Sequence, residues 1–212
     1  MAKQIEGVYE KVLACAKKEF LEKGYKDASL RTIAQEAGTS TSSIYTRFQD
    51  KEGLFQSIVE PAAEEMKRMF LEIQETFHQF DDDTQKEQMG AYTSREMGRI
   101  LDFLYDHFDA FRLLLDASYG TRFQSFVDDL VKIEVDYTYK YMEVIGCMSV
   151  KSGLITEEFI HIITTAYFNG MFEVIRHNMA KEDAIRYIRM LNQYHMAGFS
   201  TIFSPPAEQD GC

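Results

Sequence analysis

The chain has 212 residues, 45% of them hydrophobic, and a formal net charge of −11. That length buries a substantial core in one domain or two small ones, and the charge speaks against a protein that clings non-specifically to polyanions. The acidity is uneven: residues 1–60 hold nine Lys/Arg and nine Asp/Glu, residues 61–212 hold fourteen against twenty-five, and residues 37–49 hold no acid and one base, Arg47.

From the N-terminus, Ile5, Val8, Tyr9, Val12, Leu13, Ala16 and Phe20 recur at helical spacing, and Gly24 supplies a stop. Ser29 caps a short second helix whose inner face is Leu30, Ile33, Ala34 and Ala37, ended by Gly38. Ser40 caps a third, in which Ile44 and Phe48 point inward and the remaining surface must face something polar. Asp50 caps a fourth, with Leu54, Phe55 and Ile58 as its buried face. Its apolar stripe continues through Met66, Met69, Phe70, Ile73 and Phe77. The run Asp81-Asp82-Asp83 interrupts the pattern. Consecutive aspartates project in different directions, so they read as a solvated helix start rather than a metal site. Further helices are predicted over 86–107, 109–118, 121–146, 156–178 and 181–203, with a polar, disordered tail at 205–212.

Residues 29–40 form a short helix, a glycine turn and a cap for the next helix, which is what a helix-turn-helix requires. Arg31, Ile33-Ala34, Ala37-Gly38, Ser40, Tyr45, Phe48, Lys51 and Leu54 follow a helix bearing Phe20 and Gly24. In that order they make residues 8–58 resemble the TetR family of bacterial transcriptional regulators. The residues themselves support a DNA-reading face. Thr41, Ser42, Ser43 and Thr46 carry hydroxyls for base edges or phosphates, the Thr41 methyl can meet a thymine methyl, and Arg47 can pair with guanine or hold phosphate. The resemblance adds backbone contacts for Tyr45 and Lys51 and, in some members, a base contact for the Arg31 position. With the capping Ser29 and Ser40, these complete the expected DNA-binding set. Thr39, Ser42 and Arg47 depart from the family, which often has Val, Gly or Pro, and His near those places.

The C-terminal body is rich in Tyr, Phe and Met, a flexible lining suited to a bulky apolar or amphipathic ligand. Plain core is the commoner role of such residues. The resemblance implies a small-molecule effector here, with Phe103, Phe111, Tyr119, Phe126, Tyr137, Tyr141, Tyr167 and Met171 as candidate pocket residues. Glu134, Asp136, Tyr137, Tyr139, Tyr141 and Glu143 share one predicted helix. They suit either a cationic lipophilic ligand or, as the plainer reading, an exposed helix face with half-buried tyrosines. The last two long helices carry apolar stripes with small residues. The resemblance makes Phe159, Ile163, Ala166, Gly170, Leu191, Gly198, Phe199 and Ile202 a homodimer interface, so that a two-fold axis reads a pseudo-palindromic operator.

The expected architecture is therefore all-α. An N-terminal three-helix helix-turn-helix domain (1–50) is joined by a long helix to a helical effector-binding and dimerisation domain (51–204). The expected function is a DNA-binding repressor released by a small molecule, the long fourth helix carrying the signal. The alternative is a TetR-like ligand- or protein-binding module that has lost DNA binding, against which Arg31, Tyr45 and Lys51 argue. His78, His107, His161, His177 and His195 lie on separate predicted helices without HExxH, and GxSxG, P-loop and GxGxxG patterns are missing. No enzyme activity, cofactor or metal is expected. The apolar stretch Phe159–Ile175 is broken by His161, Asn169 and Glu173 and reads as a buried helix, not a membrane span. With no leader-like N-terminus and no CxxC among Cys15, Cys147 and Cys212, a cytoplasmic location with reduced thiols is expected.

Overall fold

Apolar residues at helical spacing, with few glycines and prolines between them, give a chain built of helices. The computed structural model describes residues 2–151, 153 and 155–203, among which there is no strand. The expected disordered tail at 205–212, with Cys212, lies outside the described residues. In order come α1 (Ala2–Asp27), α2 (Leu30–Glu36), α3 (Thr41–Phe48), α4 (Lys51–Phe77), α5 (Asp82–Asp106) and α6 (Phe108–Asp116). A 3₁₀ turn at Arg122–Ser125 precedes α7 (Phe126–Val144), α8 (Met148–Lys151), α9 (Glu157–Arg176) and α10 (Lys181–Phe203). No helix among the described residues is long and apolar enough to cross a membrane.

Gly24 (φ 73°, ψ 169°) leaves the helical conformation and stops the first stretch of α1 as expected, and a short helical stretch then runs on to Asp27. Pro61 sits inside α4 without stopping it, although its missing N–H costs the helix one internal hydrogen bond. The segment 121–146 is divided between the 3₁₀ turn and α7, and α8 is an additional short helix.

The chain forms two compact units. One comprises residues through Met66 together with Asp106–Phe126; the other comprises Lys67–Tyr105 and the chain from Val127 onward. In the first unit Phe20 lies edge-on to Phe55 at 5.1 Å, and Ala16, Ile33, Ile44, Leu54, Phe111 and Leu113 are buried around them. Asp106–Phe126 is tied to this unit by several bonds: Tyr25 N–H donates to the Ala117 carbonyl at 3.1 Å, Lys17 pairs with Asp109 at 3.5 Å, and Arg122 pairs with Glu60. The sequence boundary at residue 50 assigned that segment to the C-terminal domain, because nothing local in it states which core it joins. In the second unit Phe70, Phe77, Leu104, Leu130, Phe168 and Phe172 are buried. Long-range polar links there include Lys67 with Asp129 at 2.8 Å and Tyr105 Oη donating to the Met179 carbonyl at 2.8 Å.

Candidate nucleic-acid interface and ligand cavity

The helix-turn-helix is assembled by short-range capping. Ser29 Oγ accepts from Thr32 N–H, while Ser29 N–H donates to the buried Glu19 carboxylate at 3.0 Å. α2 ends at Ala37, and Gly38 turns the chain at φ 68°. Ser40 Oγ accepts from Ser43 N–H at 3.1 Å to start α3. Ile44 and Phe48 are buried, which turns Ser42, Ser43, Tyr45, Thr46 and Arg47 outward as exposed residues, with Thr41 half-buried and Ser40 exposed beside them. Arg31 is exposed on α2 and Ser29 half-buried.

Three contacts shape this face beyond the sequence reading. The Arg47 guanidinium lies over the Tyr9 ring at 3.9 Å, and Tyr9 is itself stacked on Phe48 at 5.7 Å. That stack holds a long side chain in a defined direction. Lys51 Nζ donates to the carbonyls of Lys26 and Ala28 at 2.9 and 3.1 Å and lies over Tyr25 at 4.9 Å. Two of its three donors thus bind protein, leaving one for a phosphate. Asp50 Oδ1 accepts from Gly53 N–H at 2.7 Å, and a Cβ on Gly53 would run into the Phe48 carbonyl oxygen. The turn from α3 into α4 therefore requires glycine at 53, a residue the sequence reading passed over.

The second unit contains a cavity of about 440 Å³ walled by α4, α5, α7, α9 and α10, within the size range of small-molecule sites. Of the aromatic and methionine candidates, Tyr137, Tyr141, Tyr167 and Met171 line it. Four others do not. Phe111 and Phe126 pack together at 6.0 Å as buried core of the first unit. Tyr119 is 70% exposed, with Lys26 4.4 Å from its ring. Phe103 is half-buried on α5, off the cavity wall. Helical periodicity says that a side chain faces inward but not which interior it meets.

The lining also holds polar groups from distant parts of the chain. Gln74 Nε2 donates to Glu134 Oε2 at 2.7 Å. Burial pushes the Glu134 carboxyl up to about 7, because desolvation disfavours its charged form. The Tyr167 ring stacks on His195 at 4.0 Å, and its hydroxyl donates to Asn192 Oδ1 at 3.4 Å. Burial, with the Glu134 charge nearby, raises the Tyr167 phenol, and burial lowers His195 to about 4. On α5, Glu96 is buried but held by Arg95 at 2.8 Å and Arg99 at 2.5 Å; Lys86 is 45% exposed, 3.8 Å from Asp83. Asp136 and Glu143, expected beside Glu134, are exposed. Sequence reading missed Gln74, Asn192 and Glu96, whose only local signal is a polar residue beside an apolar stripe.

The expected interface residues divide. Phe159, Ala166 and Gly198 are exposed, and Ile163, Gly170, Leu191 and Ile202 are half-buried. A Cβ on Gly170 would stand 3.4 Å from Leu191 of the same chain, so that pair packs α9 on α10. Phe199 is buried and lines the cavity instead of a surface. The exposed apolar residues on these helices are Phe159 and Ile162 on α9, and Ile185, Met190 and Tyr194 on α10.

Residues 12–58 match the family model described as bacterial regulatory proteins, tetR family. Over that N-terminal segment the chain is similar to the TetR family. An uncharacterized HTH-type transcriptional regulator of Haemophilus influenzae is 24% identical over 181 residues, 80% of each chain. The regulator YvdT of Bacillus subtilis is 40% identical over 60 residues, 28% of this chain and 31% of that protein. Among solved structures, a TetR-family member from Streptomyces coelicolor is similar with a TM-score of 0.56 at 17% identity, covering 88% of this chain and 90% of that one. PfmR, a TetR-family regulator from Thermus thermophilus, gives 0.51 at 18%, covering 91% and 97%. These TetR-like structures share the all-α fold, and the matched N-terminal segment is that of DNA-binding transcriptional regulators.

Proposed function

We propose that this TetR-like chain acts in the cytoplasm as a homodimeric repressor, released from a pseudo-palindromic operator when a bulky apolar or amphipathic molecule enters the α4/α5/α7/α9/α10 cavity. The observation that carries this reading is the cavity itself: α4 supplies part of its wall through Phe70, Ile73, Gln74 and Phe77, with His78 next after its end, and the same continuous helix begins at Lys51 directly after the helix-turn-helix. An effector that favours the non-binding state by several kcal/mol suffices to switch occupancy.

On this reading residues 1–50 bind DNA and 51–204 bind effector and partner. Arg31, Thr41, Ser42, Ser43, Thr46 and Arg47 reach bases or phosphates, with Tyr45 and Lys51 on the backbone and Ser29 and Ser40 at the helix starts. Half-sites are spaced by about one turn (~34–36 Å) or somewhat more. The exposed Phe159, Ile162, Met190 and Tyr194 speak for a two-fold contact through α9 and α10. A selection from random duplexes followed by fluorescence anisotropy tests the reading. Enrichment of a two-fold symmetric site, bound by a dimer and released by a cavity ligand, is expected; enrichment of nothing would overturn it.

A further inference from the structure

The cavity is lopsided in its hydrogen-bonding chemistry. Glu134 receives one bond, from Gln74 Nε2, and no cation pairs with it among the described residues. His78 lines the same cavity; its Nδ1 lies 3.0 Å from the Gln74 carbonyl. A carbonyl can only accept, so Nδ1 carries a proton, and in that tautomer Nε2 is an acceptor. That Nε2 is buried without a hydrogen-bond partner. The cavity thus holds one acceptor without a donor, His78 Nε2, and a carboxyl group held only by an amide, Glu134.

The other charges on the wall are already matched or neutral. Glu96 is held by Arg95 and Arg99, Lys86 stands near Asp83, and burial keeps His195 uncharged at neutral pH, with its value near 4. Around the lopsided spot stand the rings of Tyr137, Tyr141 and Tyr167. An anionic ligand would meet Glu134 in its charged form, populated from about pH 7 upward, and a purely apolar one would leave His78 Nε2 unsatisfied. A cation carrying N–H groups pairs with Glu134, has N–H donors to offer this acceptor-rich wall, and gains from the aromatic faces.

We infer that the cavity is built for a lipophilic amine in its protonated form, the ammonium donating to Glu134 and the hydrocarbon lying among the aromatic rings. The assignment rests on the effector reading above and specifies its ligand class. Binding of dodecylamine, dodecyltrimethylammonium, dodecanol and dodecanoate, each below its micellar concentration, is measured by calorimetry on the full chain. Dodecylamine should bind at least about tenfold tighter than dodecanol and dodecanoate, and several-fold tighter than the trimethylammonium, which has charge but no N–H. Glu134→Gln should weaken dodecylamine at least about tenfold and leave dodecanol within about twofold.

Equal or tighter binding of any of the three analogues, no binding by the amine, or an unchanged amine affinity in the variant would overturn the assignment. Circular dichroism checks the fold of the variant, and the headgroup series on the unaltered chain decides the matter without it. The same ligands are added to the operator complex. Amine binding that leaves the DNA bound keeps the amine assignment and sinks the effector reading. Release by dodecanol or dodecanoate with a silent amine does the reverse.

Discussion

The unit that carries the helix-turn-helix and the unit that carries the cavity place their polar groups by different means. In the first, the caps span three residues: Ser40 to Ser43, Asp50 to Gly53, Ser29 to Thr32. In the second, the bonds that define the site join residues far apart, Gln74 to Glu134 across 60 positions and Tyr167 to Asn192 across 25. Local caps fix a reading surface whose direction depends on a few backbone turns. Distant bonds fix a chamber whose shape depends on how whole helices pack.

The contrast is broken most severely at the turn into α4. Gly53→Ala should destabilise the first unit by about 2–4 kcal/mol, because backbone must move to relieve the clash with the Phe48 carbonyl. Hydrogen exchange should show lost protection in α3 and the start of α4, with the second unit protected as before; uniform loss across the chain would contradict the separation.

A next test acts on the cavity alone through pH. Glu134 is raised from 4.5 to about 7 on folding, so its contribution is favourable below about 4.5 and is lost as pH rises through 7. His195 is lowered from 6.5 to about 4, so its contribution is complete above about 6.5 and is lost as pH falls through 4. Between those ranges the two oppose each other. Glu134→Gln should therefore make stability rise more steeply with pH from 4.5 to 6.5 than in the unaltered chain, by an amount on the order of 1–3 kcal/mol across the window. Denaturant unfolding at several pH values checks the sign, and a slope no steeper than that of the unaltered protein would refute it.

Binding measurements sharpen the other side. Arg47→Ala should cost about 1–3 kcal/mol of operator affinity. With few cations on the reading face, log affinity should fall with log salt at a slope nearer ~4 than ~10. Tyr9→Leu, which removes the platform under Arg47, should cost less than Arg47→Ala and leave the salt slope unchanged. The smallest effect is expected at Ser40→Ala. Loss of the α3 cap should cost about 1 kcal/mol and be read as a small drop in both stability and operator binding.

What the residues determined by themselves is the reading head. Ser29, Gly38, Ser40 and Asp50 act on neighbours three or so positions away, and Ile33, Ile44 and Phe48 mark the inner faces at helical spacing. Both signals are complete within a dozen residues. The long later helices were legible for the same reason, whereas the 3₁₀ turn at Arg122–Ser125 and the short α8 were not. Only the tertiary structure decided that Phe111 and Phe126 belong to the core of the first unit while Tyr137, Tyr141, Tyr167 and Met171 face a cavity. It also turned Phe199 inward and set Glu134 beside Gln74. A helical repeat states which side of a helix is apolar. Which neighbour covers that side is settled by packing between segments scores of residues apart, and no local pattern encodes it.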